Sequence, residues 1–397
     1  MQTDKVGPRY KYPISDQELN RRLVATQSAL RKAGVDCAIT QNHCGIFDSG
    51  IRYYLDTPTG GYTSSLLIPA SGGMVYLSHG PDNDNAPIPL WARNVEKAIT
   101  KPYCQPFSFT DTMAAEVMER EIRARGYRRV GLYGMQYISY SFGEYLKQAL
   151  PNVEFVNFST QINAITSIKS AEEWKLIEKS IRAHEHLIGT LPALIRPGRK
   201  EFEIRAELEH MSLNMGCDYI GNVAVGCATP GTPCMFVSHF NANRRIEPGD
   251  NVTVMIEVSG PGGMYSELAR MFCLGEPTNS LKELYEIAKG CQAAIAAAAK
   301  PGVTGAELNR IFDDYVTPYG IAPNTRFAGH GQGYDMMEAP AICSAETMVL
   351  QEDMYFAIHP ELMLNGDFAI ACDNYRITKD GAVRLTRTPQ EIVMLEF

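Results

Sequence analysis

The sequence predicts a mixed α/β protein with two domains, a smaller α/β domain at residues 1–160 and a larger one at 161–397. A chain of 397 residues is too long for one small core, and two domains are usual at that length. In the first part, short apolar strand patterns alternate with helical patterns. In the second part, a unit of helix, Pro-Gly break, helix and strand pair occurs twice, which predicts a pseudo-twofold α–β repeat.

Composition and charge exclude several classes of protein. The net charge is −8 and no stripe of Lys or Arg stands out, which argues against a nucleic-acid partner. No apolar run approaches the roughly 20 residues of a membrane helix, and the N-terminal residues lack the apolar core of a signal peptide. The 10 cysteines are scattered without a CxxC pair, which suits a reducing compartment. We therefore expect a cytoplasmic protein without a nucleic-acid or membrane partner.

The first domain begins with a predicted helix. Ser15 or Asp16 can cap it, and Gly34 ends it. Its apolar face is spaced by Leu19, Leu23 and Leu30. Strands are then expected at DCAIT, at GIRYYLD (residues 50–56), at SSLLIPA with MVYLS as a hairpin, at RVGLYG and at VEFVNF, and helices at 112–124 and 142–150.

A capping box opens the first helix of the second domain, because Ser170 is followed three residues later by Glu173. Further helices are expected at 201–215, 281–300 and 306–319, and strand-like stretches around His330, around Ile358 and at 368–378. Three histidines on the predicted helices are expected to face solvent or to pack between helices: His184, His186 and His210.

The stretch NVTVMIEVSGPGGMYSELARMF, residues 251–272, predicts a β-hairpin around its GPGG turn. Glu257 precedes the turn and Glu267 follows it, so antiparallel pairing can bring the two carboxylates side by side. An acid on an apolar strand is costly to bury unless it is paired, hydrogen-bonded or bound to a cation. Two solvent-facing turn acids are the alternative that these residues alone leave open.

Six motifs give the chain a family resemblance: IKSAEEW, VSHFNANRRIEPGDNVTVMIEVSG, YSELAR, KPGVTGAELN, GHGQGYDMMEAP and DNYRITKDGAVRLT. With them the chain resembles the creatinase, aminopeptidase P, prolidase and methionine aminopeptidase superfamily over nearly its whole length. The resemblance implies a pita-bread fold for the second domain and a creatinase-type first domain. It also implies a homodimer.

The resemblance further implies where metal ligands would lie. Aminopeptidase-type members use two hairpin Asp, the His of the GHG motif and two late Glu, and the matching positions here are Glu257, Glu267, His330, His359 and Cys372. Asp to Glu shifts a carboxylate by about 1.5 Å, whereas metal–oxygen distances vary by only about 0.2 Å. A neutral His in place of a bridging Glu also removes a bridge and a charge. The usual two-metal centre is therefore not expected.

Two hypotheses remain for this site. The first follows the metal-free members, creatinase and ectoine hydrolase: no cofactor is expected, and the catalytic residues are Glu257, Glu267, His330, His359 and the retained His239. The second is a single Zn or Fe ion held by Glu267, His330 and His359, since two His and one carboxylate form a recognised ligand set.

The function predicted from this resemblance is hydrolysis of a C–N bond in a small polar or zwitterionic substrate. Substrate contacts are expected from Arg52, Tyr53, Met337, Glu338, Cys372 and Asp373, and Arg244 or Arg326 could also hold a carboxylate. Three alternatives stand beside this prediction. They are an Xaa-Pro dipeptidase or aminopeptidase-like metallohydrolase with an altered metal site, a mononuclear-metal lyase of the dimethylsulfoniopropionate lyase type, and a non-catalytic pita-bread binding protein.

Overall fold

The computed structural model describes residues 11–43, 47, 50–57, 62–104, 106–237 and 241–396, with the backbone alone at 219 and 220. The chain divides into two units, Met1–Thr166 and Ser167–Phe397. The predicted division after residue 160 lies a few residues earlier, inside a helix of the first unit. In the described ranges, no helix has both the length and the apolar character needed to cross a membrane.

A seven-stranded mixed sheet forms the centre of the first unit. Its strands are β1 (Cys37–Asn42), β2 (Ser64–Pro69), β3 (Met74–His79), β4 (Asn83–Ala86), β5 (Val95–Lys101), β6 (Arg129–Leu132) and β7 (Glu154–Asn157). They lie in the order β4-β5-β3-β2-β1-β6-β7, with β1 antiparallel to β2 and parallel to β6. The helices are α1 (Asp16–Ala33), α2 (Gly50–Leu55), α3 (Met113–Arg125), α4 (Tyr140–Ala149) and α5 (Ser159–Thr166).

Helix α1 confirms the predicted first helix and its caps. The Ser15 hydroxyl accepts the Glu18 backbone N–H at 3.1 Å, which satisfies one of the free donors of the first turn. Gly34 ends the helix in the left-handed region at φ 64°, where glycine has no Cβ penalty. Leu19 and Leu30 are fully buried, so the apolar face was correctly placed.

Residues 50–56 correct the sequence prediction, because the expected strand is the short helix α2. All six of its residues are buried, so the segment lacks the one-sided burial that an alternating strand pattern implies. The Arg22 guanidinium donates to the Tyr53 carbonyl at 2.8 Å and lies over the Tyr53 ring at 4.5 Å. Tertiary contacts of this kind override the strand preference of isoleucine and tyrosine.

The described residues of the second unit form three sheets. Their strands are β8 (Cys217–Ala228), β9 (Asn251–Pro261), β10 (Tyr265–Leu274), β11 (Gly329–Gly331), β12 (Glu338–Ala341), β13 (Tyr355–Ile358), β14 (Glu361–Leu364), β15 (Asp367–Ile370), β16 (Asp373–Thr378), β17 (Gly381–Arg384) and β18 (Ile392–Leu395). The sheets have the orders β18-β10-β9-β8, β12-β11-β13-β16-β17 and β14-β15. The predicted single stretch 368–378 is two strands, β15 and β16.

Two helix pairs pack on these sheets, α6 (Ala171–Leu194) with α7 (Glu201–Asn214), and α8 (Asn279–Ala298) with α9 (Gly305–Val316). The predicted capping box of Ser170 and Glu173 is present at the start of α6. Each pair is broken by a Pro-Gly turn whose glycine has a positive φ, 88° at Gly198 and 96° at Gly302. The mixed α/β fold class and the repeated helix–helix–strand unit are thus confirmed.

Two contacts bring the second half of the repeat to the first. A backbone bridge joins Ala269 of β10 to Cys372, just before β16. The neighbouring Arg270 and Asp373 form a buried ion pair at 2.8 Å. A buried ion pair of this kind is strongly destabilising to break, because it leaves an uncompensated charge. The edge of β10 is therefore fixed against β16, and this seam holds the side chains described below.

His184 on α6 is fully buried against the hairpin. Of the two expected roles, it packs against its neighbours and does not face solvent. Its Nε2 accepts the Val258 backbone N–H at 3.2 Å, and its Nδ1–H donates to the Ser180 carbonyl at 2.8 Å. Burial lowers the pKa of this imidazole to about 4. The neutral ring is thus part of the packing between α6 and β9.

Because the pKa of His184 is lowered, we predict that the free energy of unfolding falls in mild acid. Because its folded-state pKa lies below the value of about 6.5 in the unfolded chain, stability is full above pH 6.5 and falls as the pH drops toward 4. Between pH 8 and 5 the loss from this group is about 2 kcal/mol. Urea unfolding followed by Trp174 fluorescence in a Trp91→Phe background measures it. His184→Gln should unfold more easily at pH 8 but lose less stability on acidification, and equal losses would contradict the assignment.

Candidate active site

The β9–β10 hairpin sets two acids directly opposite each other. Glu267 is the register partner of Glu257, and both are almost fully buried, at 2% and 4% exposure. Period-two alternation puts their side chains on the face that carries the cavity described below. The predicted hairpin and the side-by-side carboxylates are confirmed, and the solvent-facing alternative is wrong.

His330 comes from β11, which lies between β12 and β13 in the neighbouring sheet. Its Nδ1–H donates to the Gly331 carbonyl at 2.9 Å, so the other ring nitrogen, Nε2, points away from that carbonyl. Nε2 lies 3.2 Å from Glu267 Oε2 and 3.9 Å from Glu257 Oε1. A bare nitrogen lone pair and a carboxylate oxygen repel at 3.2 Å, so a proton or a cation has to lie between them.

His359 follows β13 and is held by its backbone N–H, which donates to the Ala328 carbonyl at 2.9 Å. Its Nε2 is 4.0 Å from Glu267 Oε2, and its ring lies 5.2 Å from the His330 ring at 61°. Both nitrogens of His359 and Glu267 Oε2 are buried without a hydrogen-bond partner. Unpaired buried polar atoms are rare and indicate a missing water, ion or ligand.

These three side chains fit a metal ion. Ligand atoms of Glu267, His330 and His359 lie within 4.8 Å of one another, and all three residues are buried. Two imidazoles and one carboxylate suit borderline metals such as zinc and iron. Among the described residues no other such group is found. Cys372 and Glu257 do not join it, so the side chains present suit one ion better than a pair.

The pKa values of the two hairpin acids are shifted in opposite directions. Burial raises the pKa of Glu257, and the neighbouring Glu267 carboxylate raises it further. Burial also opposes ionisation of Glu267, but the imidazoles of His359 and His330 outweigh it and lower the pKa of Glu267. Glu267 is therefore the carboxylate of the pair, and Glu257 is the one that holds a proton.

A cavity of about 280 Å³ opens onto these groups. Its wall is lined by Asn222, Met235, Phe236, Met255, Glu257, Glu267, Arg326, Phe327, His330, Met336, Met337, His359 and Glu361. The predicted contact Met337 and the candidate Arg326 are in this wall. Arg326 is 75% exposed and 3.4 Å from Glu361, which leaves its guanidinium accessible to a substrate carboxylate.

Three residues that were expected to contact substrate do not line this cavity. Each of them is bonded to another residue of the protein instead. Cys372 is fully buried, and its thiol donates to Glu267 Oε1 at 3.3 Å. Asp373 is paired with Arg270, as described above, and Glu338 is paired with Lys169 at 2.6 Å. These residues position the site, because each is already satisfied by an intramolecular bond.

Arg52, Tyr53 and Arg244 are not among the residues that line this cavity. Arg52 and Tyr53 are buried within the first unit, at 6% and 4% exposure, and their predicted substrate contacts stay predictions. His239 lies outside the described residues. Arg244 forms an ion pair with Asp250, so the turn-stabilising alternative describes it.

Sequence reasoning missed Glu361 and Asn222. Glu361 follows His359 by two positions, and that spacing in an extended segment was a usable signal for a shared face. Asn222 lies opposite Glu257 in the β8–β9 register, which is irregular between Tyr219 and Asn222. A register shift of that kind cannot be seen in the sequence.

Comparisons with known proteins agree with this fold and site. Residues 175–388 match the sequence profile of metallopeptidase family M24. The chain is 27% identical over 351 residues to the Xaa-Pro dipeptidase of Pyrococcus furiosus, covering 86% of this chain and 95% of that protein. It is 29% identical over 272 residues to the Xaa-Pro dipeptidase of Pyrococcus horikoshii, covering 64% and 73%.

The crystal structure of dipeptidase PepE from Mycobacterium ulcerans superimposes with a TM-score of 0.77 at 21% identity, over 97% of this chain and 100% of that one. The predicted pita-bread fold is thereby confirmed. The similarity to dipeptidases favours the metallopeptidase alternative, so the expected closeness to the metal-free creatinase branch is not supported by these relatives.

The ligand assignment predicts how cobalt binds. We expect His330→Ala and His359→Ala each to weaken Co²⁺ binding by at least about 100-fold, because each removes one of three ligands. Titration followed by the visible absorption of Co²⁺ measures the affinity. Met337→Leu, which changes the same cavity wall but no ligand atom, should bind as the native chain does. Unchanged affinity in either His variant would contradict the site.

Proposed function

This chain belongs to metallopeptidase family M24 and is a hydrolase, and from that premise we propose that it hydrolyses a C–N bond of a dipeptide-sized substrate at a single-metal site. The metal would be held by Glu267, His330 and His359. The observation that carries the proposal is the clustering of buried Glu267, His330 and His359, in which Glu267 Oε2 and the two His359 nitrogens have no hydrogen-bond partner among the described residues. When bound, such an ion acts as a Lewis acid toward a carbonyl oxygen.

The surrounding residues support a small substrate with a carboxylate. The cavity volume of about 280 Å³ is at the lower limit of ligand pockets, which run from about 300 to 1,000 Å³. Arg326 at its mouth can bind a carboxylate, and several methionine and phenylalanine side chains supply an apolar wall. A dipeptide fits this cavity, because it is small, carries a free carboxylate for Arg326 and contains one amide bond to be cleaved.

Glu257 is suited to proton transfer in this proposal. It lines the cavity beside His330, and burial raises the pKa of its carboxyl group. A protonated carboxyl next to the scissile bond can deliver its proton to the departing amine. Met337 cannot donate a hydrogen bond, so Asn222 and Arg326 are the described cavity residues left to orient the carbonyl side of the substrate.

Metal-free hydrolysis of a zwitterion is the second candidate, and one observation favours it. His330 Nε2 already lies 3.2 Å from Glu267 and 3.9 Å from Glu257, and an imidazole beside two carboxyl groups can act as an acid and base set without any ion. The expected homodimer stays a prediction under both candidates.

Turnover of proline-containing dipeptides tests the proposal. We expect a glycyl-proline-type substrate to be cleaved, activity to be lost with a chelator, and activity to return with zinc or iron. Glu257→Gln and His330→Ala should each lower kcat/KM by at least about 10²-fold, because each removes a group at the reacting bond. His186→Ala, an exposed change on α6, is the matched control and should not alter it.

Other outcomes separate the alternatives. Chelator-insensitive cleavage of a zwitterionic non-peptide amide would overturn the metal-dependent proposal in favour of the metal-free candidate. Cleavage of dimethylsulfoniopropionate would indicate a lyase. Saturable dipeptide binding without turnover under any metal condition would indicate a binding protein.

A further inference from the structure

A second cavity, of about 410 Å³, lies in the same unit and shares no lining residue with the catalytic one. One side is helix α6, which contributes Trp174 and Arg182. The other side is β16, β17 and the segment after them, which contribute Arg376, Arg384 and Arg387. Four guanidinium groups therefore surround one space. Glu178 lines it as well, and Arg182, Arg376 and Arg384 are paired with Glu185, Asp353 and Asp373.

Three N–H groups on the residues of this cavity have no acceptor. They are Trp174 Nε1, Arg182 Nε and Arg384 Nε, each buried and unpaired in the structure. Tryptophan and arginine are donor-only side chains, so the missing partner has to be an acceptor. Buried donors without a partner are costly, typically about 1–3 kcal/mol each, which favours an acceptor at this place.

Contacts with other residues of the protein hold three of the arginines in place. Arg384 donates to Asp373 at 2.9 Å, and the Arg376 guanidinium lies over the Trp174 ring at 4.6 Å. Arg182 donates to the Leu385 carbonyl at 2.8 Å. Because these contacts use other atoms, the free N–H groups stay fixed in position, and a ligand would lose little side-chain entropy on binding them.

Arg387 differs from the other three, because it is 73% exposed and its nearest acid, Glu178, is 4.0 Å away. Its guanidinium can therefore turn toward a ligand. The rest of the wall includes the apolar side chains of Ile177, Ile181 and Leu385. The cavity combines donors for an anionic group with a surface for an apolar body.

We propose that this cavity binds a small organic anion, whose phosphate or carboxylate oxygens accept from Trp174, Arg182 and Arg384 and pair with Arg387. Its apolar part lies against Ile177, Ile181 and Leu385. Phosphate and carboxylate share this chemistry, so both are used as probes, phenyl phosphate for the first and benzoate for the second.

The full-length chain with Trp91→Phe retains Trp174 as its one tryptophan, which places the fluorescent reporter in the cavity wall. We expect one of the probes to change Trp174 fluorescence saturably with one site per chain. Arg387→Ala should weaken that binding about 10-fold, as expected for loss of one charge-assisted contact. Stronger binding of phenyl phosphate would identify a phosphate ligand, and stronger binding of benzoate a carboxylate ligand.

Arg310→Ala is the matched control, because Arg310 is 72% exposed and 3.9 Å from Glu307, almost the setting of Arg387. It should leave the affinity unchanged. The absence of a saturable signal with either probe up to about 10 mM would overturn the proposal, as would equal affinity in Arg387→Ala. Loss of the signal in Arg326→Ala would also overturn it, because the probe would then be bound at the catalytic cavity.

Discussion

The charge of one buried carboxylate, Glu267, sets the arrangement of the second unit. A carboxylate at 2% exposure cannot rely on water, so it needs partners from the protein or a cation. The chain brings them from several strands: His330 from β11, His359 after β13 and the Cys372 thiol before β16. Both halves of the repeat have to be folded for these partners to meet.

The backbone of Glu267 is held as firmly as its side chain. Its carbonyl accepts the Asn374 side-chain N–H at 2.7 Å, and its own N–H donates to Asn374 Oδ1 at 3.3 Å. The same Oδ1 accepts the Tyr355 hydroxyl at 2.7 Å. The seam between β10 and β16 is therefore tied by side chains at the point where the two sheets meet, and Glu267 Oε2 is left for the two imidazoles.

Much of this could be predicted from the sequence, because the signals are local. The hairpin follows from strand alternation around GPGG, α1 and α6 follow from their caps, and the opposed acids follow from the hairpin. The roles of Cys372 and Glu338 could not be predicted, because they depend on Glu267 and Lys169, which are far away in the chain. The helix Gly50–Leu55 was missed because its burial on all sides is set by tertiary packing.

The preference for one metal over none or two rests on which atoms lack partners. A metal-free site was expected because Glu and His replace the usual bridging ligands, and those replacements do argue against a pair of ions. The same replacements leave a buried carboxylate oxygen and both His359 nitrogens without a hydrogen-bond partner, and one ion would satisfy the oxygen and one of those two nitrogens. The similarity to Xaa-Pro dipeptidases also favours the metallopeptidase branch over the metal-free one.

Metal stoichiometry tests the central claim most directly. The full chain would be reconstituted with zinc or iron, freed of weakly held metal by gel filtration and measured by elemental analysis against protein concentration. We predict one ion per chain, lost when Glu267 is changed to Gln. Two ions per chain would contradict the account by restoring the paired centre, and no retained ion would contradict it by leaving the three side chains as a metal-free set.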